Sequence, residues 1–103
     1  MDTAKAISSE TKEIMAPFRA RIDALDDVLV DLIAKRFDIM REVAVIKIKH
    51  GIPATINERV IEVRERNVKH GAEKGVDPDF MRELYQRMID ESCKLEETLG
   101  APK

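Results

Sequence analysis

Two cationic side chains interrupt an apolar stripe in the first half of the sequence. Apolar residues recur every three or four positions between Phe18 and Val43, and Arg36 and Lys47 continue the same series. Residues at this spacing share one face of a helix, the face that packs on other helices. A buried cation without a partner is costly, so an anionic group must meet both side chains. That group is either a carboxylate of the protein or a small anionic ligand.

Further polar side chains lie on or beside the apolar stripes of the later segments. Ser92 and Glu96 are neighbours on one helix face, and Arg59 lies at the start of the second segment. Each alone is typical of an exposed residue or, for Ser92, of a hydroxyl bonded to its own helix. Together with Arg36 and Lys47 they would suit a small dianion, because guanidinium groups bind carboxylates with two parallel hydrogen bonds.

The residues for metal or nucleophilic chemistry are missing from the sequence. It contains no HExxH motif, no Gly-rich phosphate loop and no Ser-His-Asp or Cys-His set. The single cysteine, Cys93, is interpreted as a packing residue, and His50 and His70 as helix-end residues beside glycines. We therefore expect no cofactor and no metal, and an enzyme of this kind would work by positioning and electrostatics.

Gly and Pro residues divide the sequence into three helical segments. The first is predicted from about Glu13 to His50, since Gly51 caps it and Pro53 forbids its continuation. The second opens with the capping-box pattern Thr55–Glu58 and runs to about His70.

The third segment begins at Asp77-Pro78, a cap followed by proline at the first helical position, and ends at Gly100. No segment alternates polar and apolar residues, so the sequence predicts an all-α, three-helix protomer with one long, one short and one medium helix. Residues 1–12 are predicted to be a poorly ordered extension, 13–100 the helical domain and 101–103 a C-terminal tail.

The predicted first helix is too long for one compact chain. From residue 17 to residue 49 it would measure about 50 Å, whereas the radius of gyration of a chain this size is about 13 Å. Two shorter helices cannot cover its stripe, so we expect an intertwined helical homodimer. Arg19 faces a different side of this helix from Arg36 and could reach the pocket of the other copy.

The amino-acid composition excludes some classes of binding partner. The 103 residues include 18 Lys and Arg against 20 Asp and Glu, a net charge of −2, which argues against a general nucleic-acid binder. The apolar runs are too short for a transmembrane span or a secretory signal, so we expect a cytoplasmic protein that does not contact a membrane.

The sequence resembles the all-helical chorismate mutases and the related isochorismate-pyruvate lyases. The resemblance covers about residues 15–99 and depends on a few short motifs. These are Phe18-Arg19-Ala-Arg-Ile22-Asp23-Ala-Leu25-Asp26, Leu32-Ile33-Ala34-Lys35-Arg36, Lys47, Glu58-Arg59, Asp90-Glu91-Ser92 and position 96. It implies a homodimer with two sites built across the chains, in which Arg19 enters the site of the partner chain. The implied reaction is the Claisen rearrangement of chorismate to prephenate, which feeds phenylalanine and tyrosine synthesis.

The same resemblance implies a role for each polar residue. With the borrowed arginine, Arg36, Lys47 and Arg59 would hold the two carboxylates of the substrate. Lys47 and Glu96 would flank the ether oxygen, and Ser92 would line the site nearby. Such a site selects the folded, reactive conformer and stabilises charge that accumulates on the breaking ether oxygen.

Three departures from the family pattern leave the substrate open. Position 96 is Glu where many members carry Gln, and Glu donates only when protonated, so we expect activity to fall as pH rises. Val60 and Ile56 replace acidic residues common near the ring hydroxyl. Ser92 favours a mutase, whereas Val60 also follows this arginine in the lyases.

Four functions are therefore considered. The first is a chorismate mutase, and the second is an isochorismate-pyruvate lyase that forms salicylate, with or without mutase activity. The third is a mutase for an aminated chorismate analogue, and the fourth is a non-catalytic helical dimer that acts as an interaction module. In the last of these, Arg36 and Lys47 would only form salt bridges.

Overall fold

The structure, a computed structural model, describes residues 8–103. It contains three helices and no strand in that range: α1 (Ser9–His50), α2 (Asn57–Glu73) and α3 (Pro78–Leu99). The predicted all-α protomer with one long, one short and one medium helix is confirmed. No helix in this range is both long and apolar enough to cross a membrane.

The first helix begins earlier than predicted. It starts at Ser9 rather than near Glu13, because the Ser8 hydroxyl accepts a hydrogen bond from Thr11 N–H at 3.1 Å and caps the first turn. Pro17 lies inside the helix, where its missing N–H removes one backbone hydrogen bond. Residues 9–12 of the predicted N-terminal extension belong to α1, and residues 1–7 lie outside the described range.

The second helix differs from its prediction at both ends. Its N-cap is Ile56, with no side-chain hydrogen bond, so the capping box predicted from Thr55 does not form. At the other end the helix continues through Gly71 to Glu73. Gly71 is buried, and a Cβ there would overlap the Met81 side chain, so this glycine allows α3 to approach closely.

The third helix follows its sequence signals. Asp77 accepts a hydrogen bond from Phe80 N–H at 2.9 Å, and Pro78 occupies the first helical position. Gly100 follows the last residue with a φ of +121°. This conformation turns the chain away from the helix axis and is rarely adopted by residues with side chains.

The described chain divides into two units at Lys35 and Arg36. In the second unit α2 packs along α3, around a small core of Ala44, Ala54, Val68, Ile89 and Ala101. The first unit is the helical segment up to Lys35. Its apolar stripe is exposed in the single chain. The stripe includes Phe18, Ile22, Leu25, Leu29 and Leu32.

Candidate active site

Polar and apolar side chains of the second unit line a cavity of about 370 Å³. Arg36, Met40, Val43 and Lys47 reach it from α1, at the spacing of the predicted stripe. Helix α2 and the residues before it, together with α3, supply the remaining walls. The two inward cations of α1 therefore face a shared space.

Lys47 and Glu96 form a buried ion pair in this cavity. Lys47 Nζ lies 2.6 Å from Glu96 Oε1, and the two side chains are 14% and 3% exposed. Lys47 also donates a hydrogen bond to Ala54 O at 2.8 Å. The Glu96 oxygen is close enough for strong Coulomb attraction, yet within residues 8–103 it has no well-directed hydrogen bond. Buried polar atoms are nearly always hydrogen-bonded, so this oxygen depends on the neighbouring Lys47 charge for its stabilisation.

Arg36 is positioned by Ser92. Its Nη1 donates to Ser92 Oγ at 3.0 Å, and the hydroxyl donates in turn to Met88 O at 2.9 Å. Ser92 thus forms the expected bond to its own helix while its lone pair holds the arginine. A guanidinium has five N–H donors, and this is the one side-chain hydrogen bond that Arg36 makes within the described range. The remaining donors can serve an anionic ligand.

Arg59 stands at the rim of the cavity. It lines the space from the first turn of α2, but its guanidinium pairs with Glu62 one turn along, and its side chain is 65% exposed. This exposed pair contributes little to stability. Arg59 can therefore exchange Glu62 for a ligand carboxylate at small cost.

The fourth predicted cation, Arg19, is not among the residues that line the cavity. It belongs to the unit up to Lys35 and is exposed on α1. Every residue that lines the cavity lies between Arg36 and Glu96. The second unit therefore brings together Arg36, Lys47, Arg59, Ser92 and Glu96.

One wall of the cavity is apolar at positions where the family that the sequence resembles commonly has carboxylates. Ile56 lies at the N-cap of α2, and Val60 is half-buried in its first turn. Among the described residues that line the space, Glu96 is the single carboxylate. With three cations facing it, the cavity has an excess of positive charge and suits an anion with an apolar body.

Sequence reasoning missed two residues of the site. The Ala54 carbonyl accepts from Lys47, and the half-buried Cys93 thiol lies 3.8 Å from the same oxygen while lining the cavity. A backbone acceptor has no residue-type signature, so no spacing pattern could have identified Ala54. Cys93 follows Ile89 by four residues and precedes Glu96 by three, so helical spacing places it on the face that lines the cavity. No group of three potential metal-binding His, Cys, Asp or Glu side chains occurs in the described range.

Comparison with known proteins identifies the class to which this fold and cavity belong. Residues 18–97 match the family model described as chorismate mutase type II. The chain belongs to the chorismate mutase type II family, and the family resemblance found in its motifs is confirmed.

Individual relatives agree with this assignment. A 4-amino-4-deoxychorismate mutase of Streptomyces venezuelae is 37% identical over 79 residues, covering 77% of each chain. A protein of the same name from Streptomyces pristinaespiralis is also 37% identical over 79 residues, covering 77% of this chain but 61% of the relative. A chorismate mutase of Methanocaldococcus jannaschii is 32% identical over 84 residues, covering 82% of this chain and 85% of the relative. The match to the S. pristinaespiralis protein thus spans about three fifths of that relative's length.

Proposed function

We propose that the protein is a chorismate mutase that converts chorismate into prephenate. The observation that carries the proposal is the buried Lys47–Glu96 pair facing the same cavity as Arg36. In this pericyclic step one C–O ether bond breaks while one C–C bond forms within the same molecule. No proton transfer, nucleophile or redox partner is required, so the site needs only to hold the reactive conformer and stabilise charge on the ether oxygen.

The three cations of the site have separate roles in binding the substrate. Arg36 has free donors inside the cavity, and Arg59 at the rim exchanges Glu62 for one carboxylate. Lys47 contributes its remaining ammonium donors toward the ether oxygen. The substrate is a dianion, and this set of three cations against one carboxylate provides the complementary charge.

Glu96 completes the contact with the ether oxygen when it is protonated. In the free protein it faces the Lys47 ammonium as an ion pair. A carboxylate only accepts hydrogen bonds, so a contact with the ether oxygen requires the carboxylic acid form of Glu96. The protonated carboxyl then donates from the oxygen that lacks a well-directed hydrogen bond.

A second copy of the chain is part of the proposal. The apolar side chains of α1 up to Lys35 are exposed in the single chain, and a stripe of this length is a surface for another helix. A partner covering it would bring Arg19 to the site, as the family resemblance implies. Light scattering tests the homodimer, and Arg19→Ala tests the borrowed cation, because it should raise KM in an intact dimer.

The decisive experiment is incubation of the purified protein with chorismate and detection of prephenate. Arg36→Ala should lose most of this activity while remaining folded. Its matched control is Arg41→Ala, since Arg41 lies on the same helix, is exposed and pairs only with Asp38 in the described chain. If the wild-type protein fails to convert chorismate under conditions in which a known mutase does so, the proposal is wrong.

A mutase acting on 4-amino-4-deoxychorismate is the second candidate. The observation that favours it is that two of the similar relatives bear that name. Parallel assays with chorismate, its 4-amino analogue and isochorismate discriminate the alternatives. The ratio of kcat/KM values decides between the two mutases, whereas salicylate and pyruvate from isochorismate would identify a lyase. Absence of turnover with all three would favour the interaction module.

A further inference from the structure

The chain after α3 folds back onto the loop between α1 and α2. Gly100 turns it, and Ala101 is 5% exposed. Ala101 N–H donates to Glu96 O at 2.9 Å, and the Pro102 carbonyl accepts from Ala54 N–H at 2.7 Å. Residues 101 and 102 thus connect the end of α3 that carries Glu96 to the loop that meets Lys47.

Ala54 is held from three directions. Its N–H is bonded to Pro102, its side chain is packed so that the residue is 2% exposed, and its carbonyl accepts from Lys47 Nζ at 2.8 Å. Within residues 8–103 this is the one hydrogen bond that the Lys47 ammonium donates. The ion pair with Glu96 adds attraction but little direction. The position of Ala54 therefore sets the orientation of the ammonium.

We infer that Ala101 and Pro102 are positioning residues for Lys47, acting through Ala54. A lysine side chain has four carbons and many rotamers, so its ammonium needs an external restraint. The ring of Pro102 fixes its own φ, and it restricts Ala101 to extended conformations. A stiff dipeptide therefore presents the carbonyl that holds Ala54. Neither Ala101 nor Pro102 lines the cavity, so neither touches the substrate.

The kinetic part of this inference rests on the proposed function and predicts a particular signature. Loss of the restraint leaves Arg36 and Arg59 in place but lets the Lys47 ammonium move away from the ether oxygen. Misplacement of a group that acts mainly in the transition state lowers kcat more than it changes KM. A merely structural tail would instead lower stability without this split.

The test removes Pro102 and Lys103, and its matched control is Lys103→Ala, which changes an exposed side chain and keeps the Pro102 carbonyl as an amide. We expect kcat to fall about tenfold in the shorter variant, as for loss of one or two oriented hydrogen bonds, with KM within about threefold. The control should stay within about twofold of wild type. Pro102→Gly keeps the carbonyl but frees the backbone, so its kcat should lie between the two.

Lys47→Ala provides the second arm, because a positioning effect requires the group that is positioned. In that background removal of Pro102 and Lys103 should cause no further loss of kcat. An equal fold-loss in both backgrounds would show that the tail acts only on general stability, and would overturn the inference.

Two measurements are independent of turnover and separate this inference from the proposed function. In the shortened, folded variant Ala54 N–H should lose protection from hydrogen exchange, and the ¹⁵N resonance of the Lys47 ammonium should shift or broaden. If the wild-type protein converts no substrate but both changes occur, the proposed function fails and the positioning role stands. An unchanged Lys47 signal in the folded variant would contradict the positioning role even if the enzyme is active.

Discussion

Two sets of opposite charges differ in burial and in hydrogen bonding: the Lys47–Glu96 pair, and the Glu65 cluster formed by Arg64, Glu65 and Arg82. The first pair is buried. The cluster is partly exposed, and both Glu65 oxygens accept hydrogen bonds: Oε2 from Arg64 at 2.7 Å and Oε1 from Arg82 at 3.1 Å. The hydrogen bonds from Arg82 and Arg64 lower the pKa of Glu65 from 4.5 to about 2.

The difference between the two sets lies in the hydrogen bonds that are left unmade. In the Glu65 cluster both carboxylate oxygens accept hydrogen bonds, and the Glu65–Arg82 pair connects α2 to α3 at the surface, where such pairs contribute modestly. The buried pair leaves a carboxylate oxygen without a well-directed hydrogen bond and leaves ammonium donors free. Burying such groups is costly unless a ligand uses them. The two sets thus differ in how completely hydrogen bonds satisfy their charged atoms.

The largest expected effect comes from removing the buried cation. Lys47→Ala should lower turnover of chorismate about 10²- to 10³-fold, the range for loss of one preorganised donor at a developing charge. Lys49→Ala is the matched control, because Lys49 lies in the same last turn of α1 but is exposed. Steady-state kinetics measure both.

Loss of Lys47 also leaves Glu96 buried without its partner, which destabilises the fold. Circular dichroism must therefore show that the variant is folded, and Lys47→Ala combined with Glu96→Gln removes the uncompensated charge. Normal turnover by a folded Lys47→Ala protein would refute the assignment of the site.

The next effect is a change in pH dependence. Wild-type activity should fall as the pH rises, since a carboxylate only accepts hydrogen bonds and only a carboxylic acid at position 96 donates to the ether oxygen. Glu96→Gln donates at every pH, so its profile should stay flat to within about twofold over the same range. Glu97→Gln, on the neighbouring residue, should keep the wild-type slope. A flat wild-type profile would remove Glu96 from the donor role.

A smaller effect is expected at the residue that holds Arg36. Ser92→Ala removes the acceptor 3.0 Å from Arg36 Nη1, and one neutral hydrogen bond contributes about 1 kcal/mol, so KM should rise about fivefold. Ser92→Thr keeps the hydroxyl and should restore most of the binding. If both substitutions raise KM equally, packing rather than the hydroxyl is responsible.

The parts of the fold and site that could be predicted from sequence are those encoded by periodicity and helix punctuation. The stripe from Phe18 to Val43 placed Arg36 and Lys47 on one face, and the cavity receives both from that face. Asp77 and Gly100 bound α3 as their residue types require. At these positions the tertiary packing agrees with the local signal.

The features that escaped prediction depend on contacts between distant segments. A glycine such as Gly71 is typical of a helix end, but Met81 packs against it and the helix continues. Thr55 fits a cap, yet the helix begins one residue later, after a loop whose Ala54 is bonded to Pro102. No sequence spacing encodes a backbone hydrogen bond between residues so far apart in the chain. This part of the site therefore could not be predicted from the sequence.

The smallest expected effect concerns stability at the Glu65 cluster. Because folding lowers the pKa of Glu65 from 4.5 to about 2, its stabilising contribution is complete above the unfolded value and is lost as pH falls toward the folded one. Glu65→Gln should therefore lower Tm by a few degrees near neutral pH, and the difference from wild type should shrink in acid. Glu73→Gln is the control, since Glu73 is exposed and forms no ion pair within residues 8–103. Thermal unfolding followed at neutral and acidic pH measures the difference, and chorismate turnover should be unchanged. A Tm difference independent of pH would mean that the three side chains contribute by packing, and the contrast with the Lys47–Glu96 pair would then lie in burial rather than in charge.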